Sequence, residues 1–280
     1  MSNMKRWGII LILVFNLTSL LLGQETKSVL EEGKLLFRLE KASWYGTDDF
    51  LARFSNKRDS IGGYLSYVNE NDQVVNIFFN RDQPSHIFVR YYFDSLPGNK
   101  PVEIDSLDHT ASQLENDLIA IRQDASRQIL ENPDKFFSFY ENTAMNLIPL
   151  IEGDKRKVFI LTASEIPHVV MIGNDYLLTY NHDNKLIKKE QLHISLLRYP
   201  YTSGDPENKM STTYHTHVIS DYINSTDICT LLLYKDFVEW KQHHVIGKKH
   251  VSIFDLEKED LVIMTKKAWN KLNKLQRKKK

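Results

Sequence analysis

The sequence predicts an α+β fold, and two kinds of pattern in its 280 residues support that prediction. Short runs rich in aromatic and β-branched residues, separated by turn-forming residues, indicate strands in both halves of the chain. Residues 110–130 place apolar side chains at spacings of three and four, which is typical of an amphipathic helix. We therefore expect an antiparallel meander with two helices in the first half, and a mixed sheet with packed helices in the second.

Residues 1–23 have the features of a secretory signal peptide. Lys5 and Arg6 supply the positive charge, residues 7–22 are largely apolar, and the small Gly23 offers a cleavage site. This pattern predicts an exported protein of the periplasm, envelope or extracellular space. A retained anchor is the alternative, although this apolar run is short for a membrane span. No later segment is long and apolar enough to cross a bilayer.

The composition excludes a general charge-driven partner. Lysine plus arginine and aspartate plus glutamate both number 36, so nothing in the net charge favours nucleic acid. The only cysteine, Cys229, stands among apolar residues, which predicts a buried thiol. A single cysteine also rules out an intramolecular disulfide, so the core must supply the stability of the exported chain.

The first half, residues 24–150, has no role that its sequence reveals. Residues 34–54 mix apolar and charged side chains without a clean period, so we assign them no structure. Three strands of a meander are predicted at residues 64–68, 74–79 and 86–93.

Two helices should follow the meander. The first covers residues 110–130, with Glu115 in its first turn, and ends before Pro133. A second apolar helix is predicted at residues 136–148, ending before Pro149.

The second half, residues 151–280, is richer in strands. A hairpin turn is expected at residues 181–184, a polar loop at residues 201–209, and a helix at residues 228–242. The predicted strands of this half are residues 158–162, 169–172, 176–180, 192–199, 244–246, 251–254 and 261–264. The division near residue 150 rests on this change in composition alone.

Residues 214–230 are the one stretch whose spacing suggests chemistry. If residues 212–217 form a strand, its alternation places His215 and His217 on one face. Asp227 follows where a polar loop meets an apolar helical run. Two imidazole nitrogens and a carboxylate could then converge on a zinc ion that keeps a fourth position open for water.

In the order of its motifs, the second half resembles the JAB/MPN metalloproteases known as JAMM, over about residues 155–265. The signature of that family is His-x-His, seven residues, Ser, two residues, Asp, on a strand, a loop and a helix followed by further strands. His215, His217 and Ser225 fit the signature. Asp227 comes one position early, and Val218 stands where the family commonly has proline.

The resemblance also implies a general base. The family has an upstream glutamate before an apolar strand that closes on glycine, and Glu165 and Gly173 fit that pattern. Zinc held by His215, His217 and Asp227 would lower the pKa of bound water from about 15.7 towards 7. Glu165 would move the proton of that water to the departing amine, and Ser225 would donate to the oxyanion. The implied activity is zinc-dependent hydrolysis of a peptide or isopeptide bond in an unidentified substrate.

A non-catalytic reading competes with this one. The chain contains ten histidines, so a single His-x-His arises readily by chance. Asp227 would serve equally well as a helix cap, and Glu165 as a solvated loop carboxylate. The protein would then be a secreted or envelope protein with a binding or structural role and a metal-free JAMM-like fold.

Three further histidines receive weaker interpretations. His243 and His244 are adjacent, so their side chains point in different directions and should not share a ligand role. His193 is interpreted as a half-exposed strand histidine, with a supporting or additional ligand role as the alternative.

The last fifteen residues, 266–280, carry eight basic side chains and no acid. Trp269, Leu272 and Leu275 recur among them at intervals of three. The segment is either a solvated tail or a basic helix that contacts an anionic surface.

Overall fold

The computed structural model describes the backbone of residues 2–201 and 211–277, and the side chains of residues 23–201 and 211–275. Helices occur together with antiparallel and mixed sheets, which confirms the α+β class. The chain forms two compact units: a larger unit of residues 35–204, and a smaller unit of residues 1–34 and 205–280. The predicted polar loop at residues 201–209 lies, from residue 202 onwards, outside the described residues.

The first helix, α1 (Ser2–Arg53), runs through the predicted cleavage position and through the segment to which the sequence assigned no structure. Polar residues on its buried face explain the missing apolar period. Glu40 and Ser43 are buried and contact Asn146 and Ser66 of the larger unit. Within the described side chains, no helix combines the length and apolar character that crossing a membrane requires.

The predicted meander is confirmed in the larger unit. Strands β1 (Ile61–Val68), β2 (Val74–Asn80) and β3 (His86–Phe93) pair in sequence, all antiparallel. Two short strands, β4 (Glu103–Asp105) and β5 (His109–Thr110), also pair with β3.

Helix α2 (Gln113–Glu131) is the predicted first helix, and Ser112 caps its N-terminus. Asn132 ends it in the left-handed region, with φ of 35°, one residue before Pro133. Its apolar face contributes Leu118 to one core cluster of the larger unit and Ile121 to another. The helix therefore ties the two clusters together.

The predicted second helix at residues 136–148 is wrong. Strand β6 (Thr143–Glu152) begins within that range and pairs antiparallel with β7 (Lys155–Ser164) along its full length. Pro149 lies inside β6, opposite Val158. β6 is the edge strand of its sheet, and proline is tolerated on edge strands because they have no neighbour on one side. The predicted division near residue 150 also falls within this strand.

The same sheet continues with β9 (Tyr176–Tyr180) and β10 (Leu186–Gln191), in the order β10-β9-β7-β6. The predicted hairpin turn joins β9 to β10. The sequence does not predict strand β10, because most of its residues are charged or polar. A separate two-stranded sheet pairs β8 (Val169–Gly173) with β11 (Leu196–Pro200), which is shorter than the predicted strand at 192–199.

The smaller unit contains the mixed sheet predicted for the second half. Its strands are β12 (Thr212–Thr216), β13 (Gln242–Ile246), β14 (His250–Asp255) and β15 (Asp260–Thr265), paired in that order. Only β12 and β13 run parallel.

Two helices complete the smaller unit. Helix α3 (Ser225–Tyr234) connects the two parallel strands, and α4 (Lys266–Arg277) follows β15 directly. Helix α3 begins before the predicted position 228 and ends well before 242. Gly33 of α1 packs closely on α3, where a Cβ at this glycine would lie 2.6 Å from the Cβ of Ile228.

Candidate metal centre

The alternation that begins in strand β12 buries three polar side chains on one face. Thr213, His215 and His217 are 1%, 4% and 5% exposed, whereas Tyr214 between them is 67% exposed. His217 lies one residue beyond β12, but its N–H donates to the carbonyl of Ile246 at 3.1 Å. The extended course therefore continues, and both histidines of the His-x-His pair face the same way.

Asp227 enters the site from the first turn of helix α3. Its Oδ2 accepts the backbone N–H of the N-cap residue Asn224 at 2.8 Å. The helix N-terminus, with its unpaired N–H groups, also favours a negative charge at this position. The capping interaction thus holds the Asp227 carboxylate in a fixed orientation.

The structure brings the three predicted ligands together. The Nε2 atoms of His215 and His217 lie 2.7 Å apart. Asp227 places Oδ1 3.6 Å from Nε2 of His215, and Oδ2 3.3 Å from Nε2 of His217. Asp227 is 1% exposed. The shorter spacing after Ser225, which departs from the JAMM signature, does not keep the carboxylate from the histidines.

Ligand atoms of His215, His217 and Asp227 all lie within 4.8 Å of one another, so the cluster could hold a metal ion. His193 belongs to the larger unit. His193 is 6% exposed, and its Nδ1 lies 3.4 Å from Oδ2 of Asp175. The interpretation of His193 as half-exposed is therefore wrong.

The hydrogen bonds of Nδ1 fix the tautomer of His217. Nδ1 lies 2.6 Å from the carbonyl oxygen of Tyr222 and 2.7 Å from Oγ of Ser220. A carbonyl only accepts, so Nδ1 must carry the proton and donate. Nε2 of neutral His217 therefore presents a lone pair to the cluster.

The outer nitrogen of His215 meets another histidine. Nδ1 of His215 lies 2.7 Å from Nε2 of His243, and Nδ1 of His243 lies 2.7 Å from Oγ1 of Thr213. Burial, reinforced by the nearby His215, lowers the pKa of His243 to about 3. His243 is therefore neutral and links Thr213 to His215 by hydrogen bonds.

The role of His243 was not visible in the sequence. Its ring reaches His215 because β13 runs parallel to β12, with His243 opposite Thr213. His244 is only partly buried, and its Nε2 lies 3.4 Å from Oε1 of Gln242. The two adjacent histidines therefore have different surroundings, as the sequence predicts.

The two remaining predicted residues occupy different settings. Glu165 is exposed in the turn after β7, where its N–H donates to the carbonyl of Asn142 at 3.0 Å. Ser225 is the first residue of α3 and is 5% exposed. Glu165 does not belong to the group of clustered ligand atoms. Cys229, one turn further along α3, is buried, as the sequence predicted.

Comparison with known proteins adds no relative. No family model, no curated protein and no solved structure matches the chain.

Proposed function

We propose that this protein is a zinc-binding protein whose metal centre is formed by His215, His217 and Asp227. The observation that carries the proposal is the convergence of two imidazole nitrogens and a carboxylate within 3.6 Å, all buried. Zinc bonds of about 2.0–2.2 Å in a tetrahedral arrangement separate neighbouring ligand atoms by about 3.3 Å. Two of the three separations are close to that value.

The chemistry of the donors supports a metal. Both histidines direct Nε2 inward while Nδ1 is held by an outer partner, which is how proteins usually orient metal-binding imidazoles. A buried carboxylate also needs a compensating positive charge, which a divalent ion would supply. Nitrogen and oxygen donors together suit zinc better than calcium or magnesium, which prefer oxygen alone.

Metal analysis of the purified protein tests the centre directly. We expect about one zinc ion per chain in the wild type. The double variant His215→Ala, His217→Ala should lose it. The matched control is His182→Ala, which changes an exposed histidine in the β9–β10 turn and should keep the ion. A wild-type protein without zinc, whose thermal stability does not respond to added zinc, would refute the proposal.

Two uses of the metal remain to be separated. Hydrolysis of a peptide or isopeptide bond is favoured by the placement of the ligands at the end of β12 and at the start of α3, with strands following. That order agrees with the strand, loop and helix of the JAMM family. This mechanism needs three protein ligands and an open position for water.

A structural metal is favoured by burial. The three ligands are at most 5% exposed, and structural zinc centres are closed to solvent in the same way. The protein would then use its sheets for binding rather than for catalysis.

Glu165→Gln separates these two uses. In a hydrolase the variant keeps zinc and loses activity against a fluorogenic peptide library and isopeptide-linked lysine substrates, because the carboxylate acts on the bound water. Asp154→Asn, in the exposed turn at the opposite end of β7, serves as the control. A zinc-loaded wild type that cleaves none of these substrates, and unfolds when zinc is chelated, would assign the metal a structural role.

A further inference from the structure

We propose that Thr213 and His243 form a hydrogen-bond relay that selects the nitrogen with which His215 binds the metal, and that His243 exchanges tautomers when the metal binds. The inference rests on the proposed metal centre and goes beyond it, because neither residue is a ligand. Both would be positioning residues, acting on the ion through His215.

The relay has two neutral arrangements. In the first, Thr213 donates to Nδ1 of His243, and Nε2–H of His243 donates to Nδ1 of His215. His215 then carries its proton on Nε2 and donates it to Nε2 of His217, which lies 2.7 Å away. Every donor in this arrangement meets an acceptor.

Metal binding requires the second arrangement. Nε2 of His215 must give its lone pair to the ion, so the proton of His215 moves to Nδ1 and is donated to His243. His243 must then accept at Nε2, carry its own proton on Nδ1 and donate to Oγ1 of Thr213. Each imidazole keeps one proton in both arrangements. The relay therefore exchanges tautomers without a net gain or loss of protons.

Burial makes the relay necessary. Thr213 is 1% exposed and His243 is fully buried, so water does not readily replace either partner. A neutral imidazole suits the task because it can accept on one nitrogen while donating from the other. Loss of such an outer partner typically weakens metal binding by about 10–100-fold.

Nuclear magnetic resonance of the full-length protein with labelled histidine rings tests the tautomer exchange. On addition of zinc to chelator-treated protein, the ring proton of His243 should move from Nε2 to Nδ1, although His243 does not touch the ion. The signals of His244 should stay unchanged, because its ring belongs to a different environment. If zinc binds while His243 keeps one tautomer throughout, the exchange is refuted.

Variants test the positioning role. His243→Leu should weaken zinc binding about 10–100-fold in a competition titration. His243→Gln, whose amide oxygen can accept from His215, should recover most of that loss. His244→Leu, the neighbour on the same strand, should bind zinc like the wild type.

Two outcomes keep the relay and the metal centre distinguishable. Should His243→Leu fail to fold, Thr213→Val takes its place, with Thr213→Ser as the variant that restores the hydroxyl. Wild-type affinity in the folded His243→Leu or Thr213→Val protein would overturn the relay and leave the zinc centre standing. Absence of zinc from the wild type would overturn both.

Discussion

A single carboxylate, Asp227, performs two tasks at the residue scale. Its Oδ2 caps helix α3 through the N–H of Asn224, and both oxygens face the imidazoles of His215 and His217. The sequence suggested these tasks as alternatives. The structure shows that they are compatible, because a residue in the first helical turn can accept a backbone N–H and still present its oxygens to a neighbouring strand.

Asp227→Asn separates the two tasks. The amide oxygen can still accept the N–H of Asn224, but the negative charge is lost. We expect zinc affinity to fall by more than the roughly 10–100-fold that removal of an outer partner costs. When a chelator has removed the metal, the free energy of unfolding of Asp227→Asn should stay close to that of the wild type. Asp227→Ala should lose about 1 kcal/mol under the same condition, because it also lacks the capping interaction. Competition titration and urea unfolding measure the two quantities. Unchanged zinc affinity in the Asn variant would contradict the assignment of Asp227 as a ligand.

Glu40 illustrates a buried carboxyl that keeps its proton. Burial raises the pKa of Glu40 to about 7, although hydrogen bonds from Asn146 and Trp44 oppose the rise. The folded state therefore binds the proton more tightly than the unfolded state does, where the pKa has its ordinary value of about 4.3. The stability of the fold should be highest below the unfolded pKa and should fall as the pH rises towards 7.

Glu40→Gln should remove this pH dependence. The variant keeps an oxygen that can accept from Asn146, and it never carries a charge. At pH 8 it should be more stable than the wild type by up to about 3 kcal/mol, since each pKa unit corresponds to about 1.4 kcal/mol. Near pH 4.5 the difference should vanish. Urea unfolding at the two pH values measures it, and an equal effect at both would contradict the assignment.

At the element scale, the cap of α2 shows how one helix start stabilises the larger unit. Glu115 is 1% exposed and accepts the N–H of Ser112 at 2.7 Å, while Arg90 of β3 donates to both of its oxygens. Burial would raise the pKa of Glu115, but the bonds from Arg90 and Ser112 outweigh it and lower the pKa. The carboxylate therefore joins the helix start to the meander.

Two substitutions distinguish the parts of this cap. Ser112→Ala removes only the capping hydroxyl and should cost about 1 kcal/mol. Glu115→Ala leaves the partly buried Arg90 without its carboxylate partner and should cost more, up to about 3–5 kcal/mol. Urea unfolding compares the two, with Asn71→Ala in an exposed turn as a surface control. Equal losses in the two variants would show that the contact with Arg90 adds nothing.

The elements that the sequence predicted correctly are those with a local signal. The meander is rich in aromatic and β-branched residues, and α2 shows a regular apolar period and a charged first turn. Residues 136–148 misled because their apolar content and the following Pro149 also fit a short apolar helix. The ten-residue pairing of β6 with β7 decided otherwise, and that contact involves residues which the apolar pattern alone does not identify.

The limits of prediction for the metal centre lie at the scale of the molecule. The three ligands were predictable, because the strand alternation and the helix start lie within a dozen residues of one another. His243 was not, because it reaches His215 through the pairing of β13 with β12, which no spacing encodes. Long-range order in the sheet therefore supplies the hydrogen-bond partner of His215.

The distribution of charge leads to a last prediction for the whole chain. The net charge is zero, so an anionic membrane can attract the protein only through a local segment. Residues 266–280 are that segment, with eight basic side chains and no acid. Helix α4 exposes Leu272 by 48% and Leu275 by 50%, and residues three apart lie on the same side of a helix. Apolar and basic groups on one exposed helix suit the interface of an anionic bilayer.

We therefore expect the protein to bind vesicles that contain phosphatidylglycerol and not vesicles of phosphatidylcholine alone. Binding should weaken as salt rises, because each basic residue near such a surface contributes about 1 kcal/mol that ions screen. Leu272→Ser with Leu275→Ser should reduce co-sedimentation at low salt. Ile187→Ser, which changes an exposed isoleucine on β10, should not reduce it. Equal binding to both kinds of vesicle, or binding to neither, would contradict this prediction. Either result would show that the basic residues of α4 are not attracted to anionic lipid, so α4 would be a solvated helix.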